Sequence, residues 1–295
     1  MANPIVVGAD GSPSAAAAVE WAADEAVRKE LPLKVVHAVY HLPYVGATYV
    51  VPGLEDALTR AGRRFLEEAE RLAWARHPDM DTSVALLDGP PGRVLAAQSA
   101  QASELVVGGR GRGGFVGMLL GSVSAHVAGH AAAPVVVVRP DYTPMRAEVV
   151  VGIDGSAECE PALGYAFEQA RLLGCPLRAV YGWQLPSEIS SGWFVRDSED
   201  VQRMRDRLVM GALATWRATY PDVPADVKVI HDHPVTALVE ASRDAALLVV
   251  GSRGRGAVGS AVLGSVSRGV LHHARCPVAV VRHPPAADTT TPAVH

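Results

Sequence analysis

Short, nearly continuous apolar runs rich in valine recur along the chain, and each is followed by an amphipathic stretch. The run PIVVGADGS at residues 4–12 has a counterpart, EVVVGIDGS, at 148–156, and both end in Gly-x-Asp-Gly-Ser. Such runs predict strands buried on both faces, as in parallel sheets. Ser12 with Pro13 behind it is an N-cap and N1 pair, which predicts a helix to about Glu30. In the second half Ser156 takes the cap role, the helix runs to about Leu173, and Gly174 is its C′ residue. Second strands are predicted at 33–39 and 177–183, followed by Pro/Gly/aromatic connections over 40–53 and 184–197. Long amphipathic helices follow at about 54–76 and 198–219. Third strands fall near 82–87 and 225–230, and short helices at about 91–102 and 234–244. The fourth strands are ELVVG and LLVVG, and the last are PVVVV (134–138) and PVAVV (277–281).

This alternation predicts an α/β fold of two doubly wound domains, each with a five-stranded parallel sheet. The domains are expected at 1–140 and 147–283, with a linker at about 139–147 and a disordered Pro/Thr/Ala-rich tail at 284–295. The two closing strands are apolar on both faces yet lie at predicted sheet edges. Exposed edges of that kind invite pairing. The two halves are therefore expected to pair with each other as a dimer within one chain, which leaves room for dimerisation of whole chains.

Composition narrows the function classes. The chain has 295 residues, is 49% hydrophobic and carries a net charge of −4, so nothing in its charge argues for a general nucleic-acid or membrane-surface binder. The three cysteines, Cys159, Cys175 and Cys276, show no C-x-x-C spacing, so a reducing compartment is expected. With no signal-peptide pattern and no apolar run of transmembrane length, the expected location is the cytoplasm.

The candidate chemistry lies after the fourth strands. LVVGGRGRGGFVGMLLGSVS (105–124) and LVVGSRGRGAVGSAVLGSVS (248–267) agree at 13 of 20 positions. Each runs from a strand through a glycine-rich loop to a Gly-Ser pair that opens a helix. Glycines let backbone N–H groups close on phosphate oxygens, and a helix N-terminus adds donors and a favourable dipole. Arg110, Arg112, Arg253 and Arg255 have two readings: charge-assisted bonds to phosphate, or solvent-facing side chains. No G-x-x-x-x-G-K-[ST] exists, which excludes a P-loop. The G-x-G-x-x-G matches at Gly109 and Gly254 follow the fourth strand rather than the first, which disfavours a dinucleotide fingerprint.

The spacings Gly108-x2-Gly111-x9-Gly121-Ser122 and Gly251-x2-Gly254-x9-Gly264-Ser265, with V-G-x-D-G-S before them and P-V-x-V-V after them, resemble the ATP-binding branch of the universal stress protein family. The resemblance covers nearly the whole chain as a tandem pair. It implies two ATP sites, with Mg or Mn. At the first, Gly8 and Asp10 lie near the adenosine, Ala38 reads adenine through its backbone, and Gly108, Arg110, Gly111, Arg112, Gly121, Ser122, Val123 and Ser124 surround the phosphates. At the second, the counterparts are Gly152, Asp154, Gly182, Gly251, Arg253, Gly254, Arg255, Gly264, Ser265, Val266 and Ser267. The sites diverge where His37-Ala38 becomes Tyr181-Gly182 and Trp183 follows.

Plainer roles compete for several residues. Asp10 and Asp154 also fit turn formers. His231-x-His233 lacks a third ligand for a metal, His272 and His273 sit where a helix ends, and Cys276 reads as a structural thiol. Trp183 and Trp193 fit packing as well as a pocket wall. With no nucleophile–base pair in the expected site loops, no catalytic residue is assigned. The primary functional reading is a nucleotide-dependent regulator of stress response or growth with an unidentified protein partner. The alternatives are a slow ATPase or nucleotidyl-transfer enzyme on the same fold, and an interaction module without ligand.

Overall fold

The computed structural model describes residues 2–40, 53–111, 120–140, 142, 147–184, 198–254 and 263–283, with only the backbone over 198–208. The first half contains β1 (Ile5–Gly8), α1 (Pro13–Lys29), β2 (Leu33–Val39), α2 (Leu54–Arg76), β3 (Thr82–Asp88), α3 (Pro91–Gln98), β4 (Glu104–Gly108), α4 (Ser122–His130) and β5 (Val135–Val138). The second repeats the order with β6 (Val149–Gly152), α5 (Glu160–Leu173), β7 (Leu177–Trp183), α6 (Ser198–Thr219), β8 (Ala225–His231), α7 (Pro234–Ala241), β9 (Leu247–Gly251), α8 (Ser265–His273) and β10 (Val278–Val281).

Among the described residues ten strands join one sheet in the order β3-β2-β1-β4-β5-β10-β9-β6-β7-β8. Pairing within each half is parallel. The halves meet where β5 and β10 run antiparallel, with Val137 opposite Val278 and Val135 opposite Val280. The two closing strands, four residues each and buried throughout, thereby cancel each other as edges. The outer edges are β3 and β8, which carry Ser83 and Lys228 among their exposed or half-buried residues.

Strand side chains alternate between two helix layers. Ile5, Val7 and Val151 pack with the alanine-rich stripe of α1 and its counterpart on α5. Val6, Val107 and Val250 pack with α3, α4, α7 and α8 on the other face. Each cluster contains residues of both halves, so the core is continuous across the junction.

Several local features depart from expectation. Ser12 caps α1 as predicted, its Oγ accepting from the Ala15 N–H at 3.1 Å. Ser156 does not cap a helix with its side chain; its hydroxyl donates to Asp154 Oδ1 at 2.6 Å. A 3-10 turn, Ala157–Cys159, precedes α5 there. Pro161 has no N–H to give the Ala157 carbonyl, so the first turn closes as 3-10 instead. The helix expected over 91–102 ends at Gln98 and tightens into a 3-10 turn, Ser99–Gln101, while α7 stops at Ala241. From the predicted linker, Tyr142 reaches the second half and donates to the Ala245 carbonyl at 2.8 Å. The expected disordered tail, 284–295, and most of the connections over 40–53 and 184–197 lie outside the described residues. Among the described residues no helix is long and apolar enough to cross a membrane.

Where α1 meets α5, polar groups are buried between the halves. Glu25 and Gln169 are equivalent positions of the repeat, and the Gln169 amide donates to Glu25 Oε1. Lys29 Nζ lies 3.0 Å from Glu25 and 2.8 Å from Glu104. The Tyr165 hydroxyl donates to Glu104 Oε2 at 2.8 Å.

Candidate functional site

The loops leaving the carboxyl ends of β1, β2 and β4 converge on one cavity, and those leaving β6, β7 and β9 on another, as expected for an open parallel sheet. The first cavity measures about 740 Å³ and the second about 460 Å³. Gly8, Asp10, Ala38, Gly108, Arg110, Gly111, Gly121, Ser122, Val123 and Ser124 line the first. Gly152, Asp154, Gly182, Gly251, Arg253, Gly254, Gly264, Ser265, Val266 and Ser267 line the second. Arg112, Arg255 and Trp193 lie outside the described residues.

The described ends of the glycine loops are held by backbone bonds to each other and to the closing strands. Gly109 N–H donates to the Val138 carbonyl and Gly121 N–H to the Gly109 carbonyl, both at 2.8 Å. The second loop repeats this with Ser252 to Val281 at 2.7 Å and Gly264 to Ser252 at 2.9 Å. Ser124 and Ser267 spend their hydroxyls on the Gly108 and Gly251 carbonyls, at 2.7 and 2.6 Å. These two serines therefore pin the helix to the strand end through their hydroxyls.

Both helices open without a side-chain cap. The first intrahelical bond at α4 is Ala125 N–H to the Gly121 carbonyl, and at α8 Arg268 N–H to the Gly264 carbonyl, each at 3.0 Å. Helix geometry thus leaves the N–H groups of Ser122, Val123 and Ser124, and of Ser265, Val266 and Ser267, without intrahelical acceptors. Three aligned donors at the positive end of a helix dipole form an anion cradle.

Asp10 and Asp154 shape their turns and also line the cavities. Oδ1 of each accepts from the serine N–H two residues on, at 2.9 Å, which shapes the turn. Oδ2 faces the glycine loop. A Cβ on Gly111 would lie 2.8 Å from Asp10 Oδ2, and one on Gly254 2.5 Å from Asp154 Oδ2. Glycine at those positions lets the loop approach the carboxylate this closely without displacing it. Positive charge gathers nearby: burial pushes the Arg139 and Arg282 guanidinium pKa values down, and the neighbouring Arg110 and Arg253 add to this.

The ends away from the glycine loops differ. The first cavity continues between His37, Leu58, Ala61, Phe65 and Leu95. His37 Nδ1 sits 2.6 Å from the Ala9 carbonyl, and its ring meets Phe65 edge-on at 5.3 Å. Leu58, Ala61 and Phe65 were not anticipated, although their i, i+3, i+7 spacing on α2 marks one helix face. In the second cavity, a Cβ on Gly182 would lie 2.7 Å from Pro234 Cα, so α7 closes against the strand. Trp183 is not among the residues lining that cavity; it is buried on the other side and packs on His231, with ring centroids 4.3 Å apart. Gly182→Ala is expected to cost about 1–3 kcal/mol through overpacking. Ala38→Gly is expected to cost less than about 1 kcal/mol. Urea unfolding of both variants checks the pair, and equal losses would contradict the closer approach of α7.

The remaining candidates make contacts within the fold. His233 caps α7, its Nδ1 accepting from the Val235 N–H at 3.3 Å. Among the described residues no cluster of three or more His, Cys, Asp or Glu is arranged to hold a metal. His272 and His273 lie in the last turn of α8, where Arg139 donates to the Leu271 carbonyl. Burial pushes the Cys276 thiol up to about 12, which keeps it protonated and inert.

Comparison with known proteins places this geometry. Residues 1–139 and 145–282 each match the model of the universal stress protein family. Universal stress protein Rv2623 of Mycobacterium tuberculosis is 36% identical over 292 residues, covering 94% of this chain and 96% of that protein. Universal stress protein Rv2005c of the same organism is 38% identical over the same length and shares. A solved universal stress protein structure from Archaeoglobus fulgidus superposes with a TM-score of 0.69 over 96% of this chain and 99% of that one; at 21% identity this shows a common fold. Matched twice along its length and end to end by such relatives, the chain belongs to the universal stress protein family as a tandem member.

Proposed function

We propose that the chain binds ATP in both cavities and acts as a nucleotide-dependent regulator of stress response or growth in the cytoplasm, read by a protein partner. The observation that carries this reading is the repeated cradle: a glycine loop resting on an aspartate, beside three helix N-terminal donors, at the mouth of a partly apolar cavity. Both volumes fall in the range that suits small-molecule ligands. ATP supplies a phosphate chain for the cradle and a flat base for the apolar end. Gly108, Gly111, Gly121 and the Ser122–Ser124 amides would hold the phosphates in the first site, with Gly251, Gly254, Gly264 and the Ser265–Ser267 amides in the second. Mg²⁺ or Mn²⁺ accompanies the triphosphate in this reading, and Asp10 and Asp154 place a hard oxygen donor at each loop. The same aspartates favour slow hydrolysis as the second reading.

Gly121→Asp and Gly264→Asp test the proposal with little cost to the fold. A Cβ at either position would touch its neighbours only at ordinary van der Waals distance, and aspartate is a preferred N-cap. Its carboxylate would occupy the phosphate cradle and repel the ligand. Equilibrium dialysis is expected to find two ATP per wild-type chain, one in each variant and none in the double variant, with unchanged far-UV circular dichroism. The two sites are expected to differ in affinity, because Ala38 at the first is replaced by Gly182 at the second. Absence of bound nucleotide on the wild type at millimolar ATP would refute the reading. Phosphate release in the same samples separates a regulator from a multiple-turnover ATPase.

A further inference from the structure

The arginines that follow the two closing strands cross between the halves. Arg139 comes directly after Val138, whose carbonyl accepts from Gly109 at the base of the first glycine loop. Its guanidinium reaches the other half. Nη2 donates to the Leu271 carbonyl at 2.5 Å, in the last turn of α8, the helix whose N-terminus forms the second cradle. Arg282 mirrors it. It follows Val281, whose carbonyl accepts from Ser252 in the second glycine loop, and it donates to the Gly129 carbonyl in the last turn of α4. The antiparallel β5–β10 pair makes this exchange unavoidable, because each strand delivers its next residue over the other half.

Each guanidinium thus caps carbonyls that a helix end leaves unpaired, and it does so at the negative pole of the dipole. Each capped helix has nine residues, a rod of about 13 Å from the cap to the three phosphate-facing donors. Half-buried, each arginine follows the strand end that anchors one glycine loop and bonds a helix of the other half, and so links the two halves without lining either cavity.

We propose that Arg139 and Arg282 are positioning residues that couple the two sites, so that a nucleotide phosphate in one half tightens the cradle of the other. This inference rests on the proposed nucleotide binding. Phosphate at the first site neutralises Arg110, which otherwise repels Arg139. Arg139 then holds the Leu271 carbonyl more firmly, α8 frays less, and its N-terminal donors stay aligned. The second site acts on α4 through Arg253 and Arg282 in the same way. The coupling is positive and reciprocal, as linkage requires.

Hydrogen exchange tests it on the Gly264→Asp chain, in which only the first site can take ATP. Adding Mg-ATP is expected to slow exchange of the α8 amides, residues 268–273, by about five-fold although no ligand touches that helix. The Gly121→Asp chain should show the same at α4. Introducing Arg139→Met into Gly264→Asp should abolish the α8 effect while ATP still binds the first site by dialysis. Bound ATP with unchanged α8 exchange overturns the coupling, and this result is legible even if Arg139→Met fails to fold. Protection that persists in a folded Arg139→Met chain overturns the arginine as its carrier. No ATP bound to the wild type refutes both the nucleotide reading and the coupling built on it.

Discussion

Alanine at Gly108 is expected to destabilise the protein by about 3 kcal/mol and to lower its melting temperature by roughly 6–12 °C. The added Cβ would lie 2.6 Å from both the carbonyl carbon and the oxygen of Ser14, a backbone group in the first turn of α1 that no rotamer change can move. Relief requires lifting the helix from the strand end. Gly251→Ala, at the equivalent position of the second half, should cost only about 1 kcal/mol. There the nearest atom is the Arg253 carbonyl oxygen at 3.1 Å, and Glu158, the counterpart of Ser14, stands back at 3.6 Å. The 3-10 turn before α5 carries that backbone away. Calorimetry on the two variants gives the contrast directly. Equal losses would mean that the two helix starts approach their strands equally closely.

That contrast also marks where sequence reading succeeds. Strands such as 33–39 and 177–183 and the helices at 54–76 and 198–219 are legible because period and apolar content are local properties, read off a few neighbouring residues. The cradle is legible for a related reason: glycine spacing and the Gly-Ser pair act through adjacent backbone. The irregular start of the second half was foreshadowed by Pro161, whose missing N–H removes one helical bond; reading Ser156 as a second Ser12 overlooked it.

What stayed hidden depends on contacts between distant segments. Phe65 lies over Gly11, where a Cβ would come within 2.5 Å of its ring, and nothing near position 65 announces that. The close approach of α7 to β7 at Gly182 involves Pro234, a residue on a different element whose position is set by packing. Arg139 and Arg282 read as polar residues ending a strand, and their reach across the junction follows only once β5 is paired with β10. Glu104 is the most deceptive case. A glutamate at the start of an apolar strand looks like a solvated end, yet it is fully buried beneath α1 and α5.

Glu104 therefore gives the second large effect, a loss of stability as pH rises from about 5 to 8. Burial, with the Glu25 charge nearby, pushes its carboxyl up to about 7, against the pull of Lys29 and the Tyr165 hydroxyl. In the unfolded chain the group has its ordinary value of 4.5. Between those values the folded protein holds a proton that the unfolded chain has released. The contribution is complete below the unfolded value and is lost as pH climbs through the folded one, a change of about 3 kcal/mol. The other groups facing this carboxyl do not share the window. Burial works against the Glu25 charge, but Lys29, Gln169 and Arg28 outweigh it and hold Glu25 below the usual carboxylate range, so its contribution is lost only in acid. Burial likewise opposes the Lys29 charge, which Glu104 and Glu25 restore and raise, and the Tyr165 hydroxyl is pushed well above its usual range. Glu104→Gln keeps an oxygen to accept from Lys29 and Tyr165 while removing the titration. Denaturation at pH 5, 6, 7 and 8 should show wild-type stability falling across the series and the variant nearly level, with the variant the more stable at pH 8. A wild-type slope that survives in the variant would assign the titration to another group. Because Glu104 lies beneath both α1 and α5, its ionisation acts on the junction that holds the halves, and thus both cavities, in one sheet.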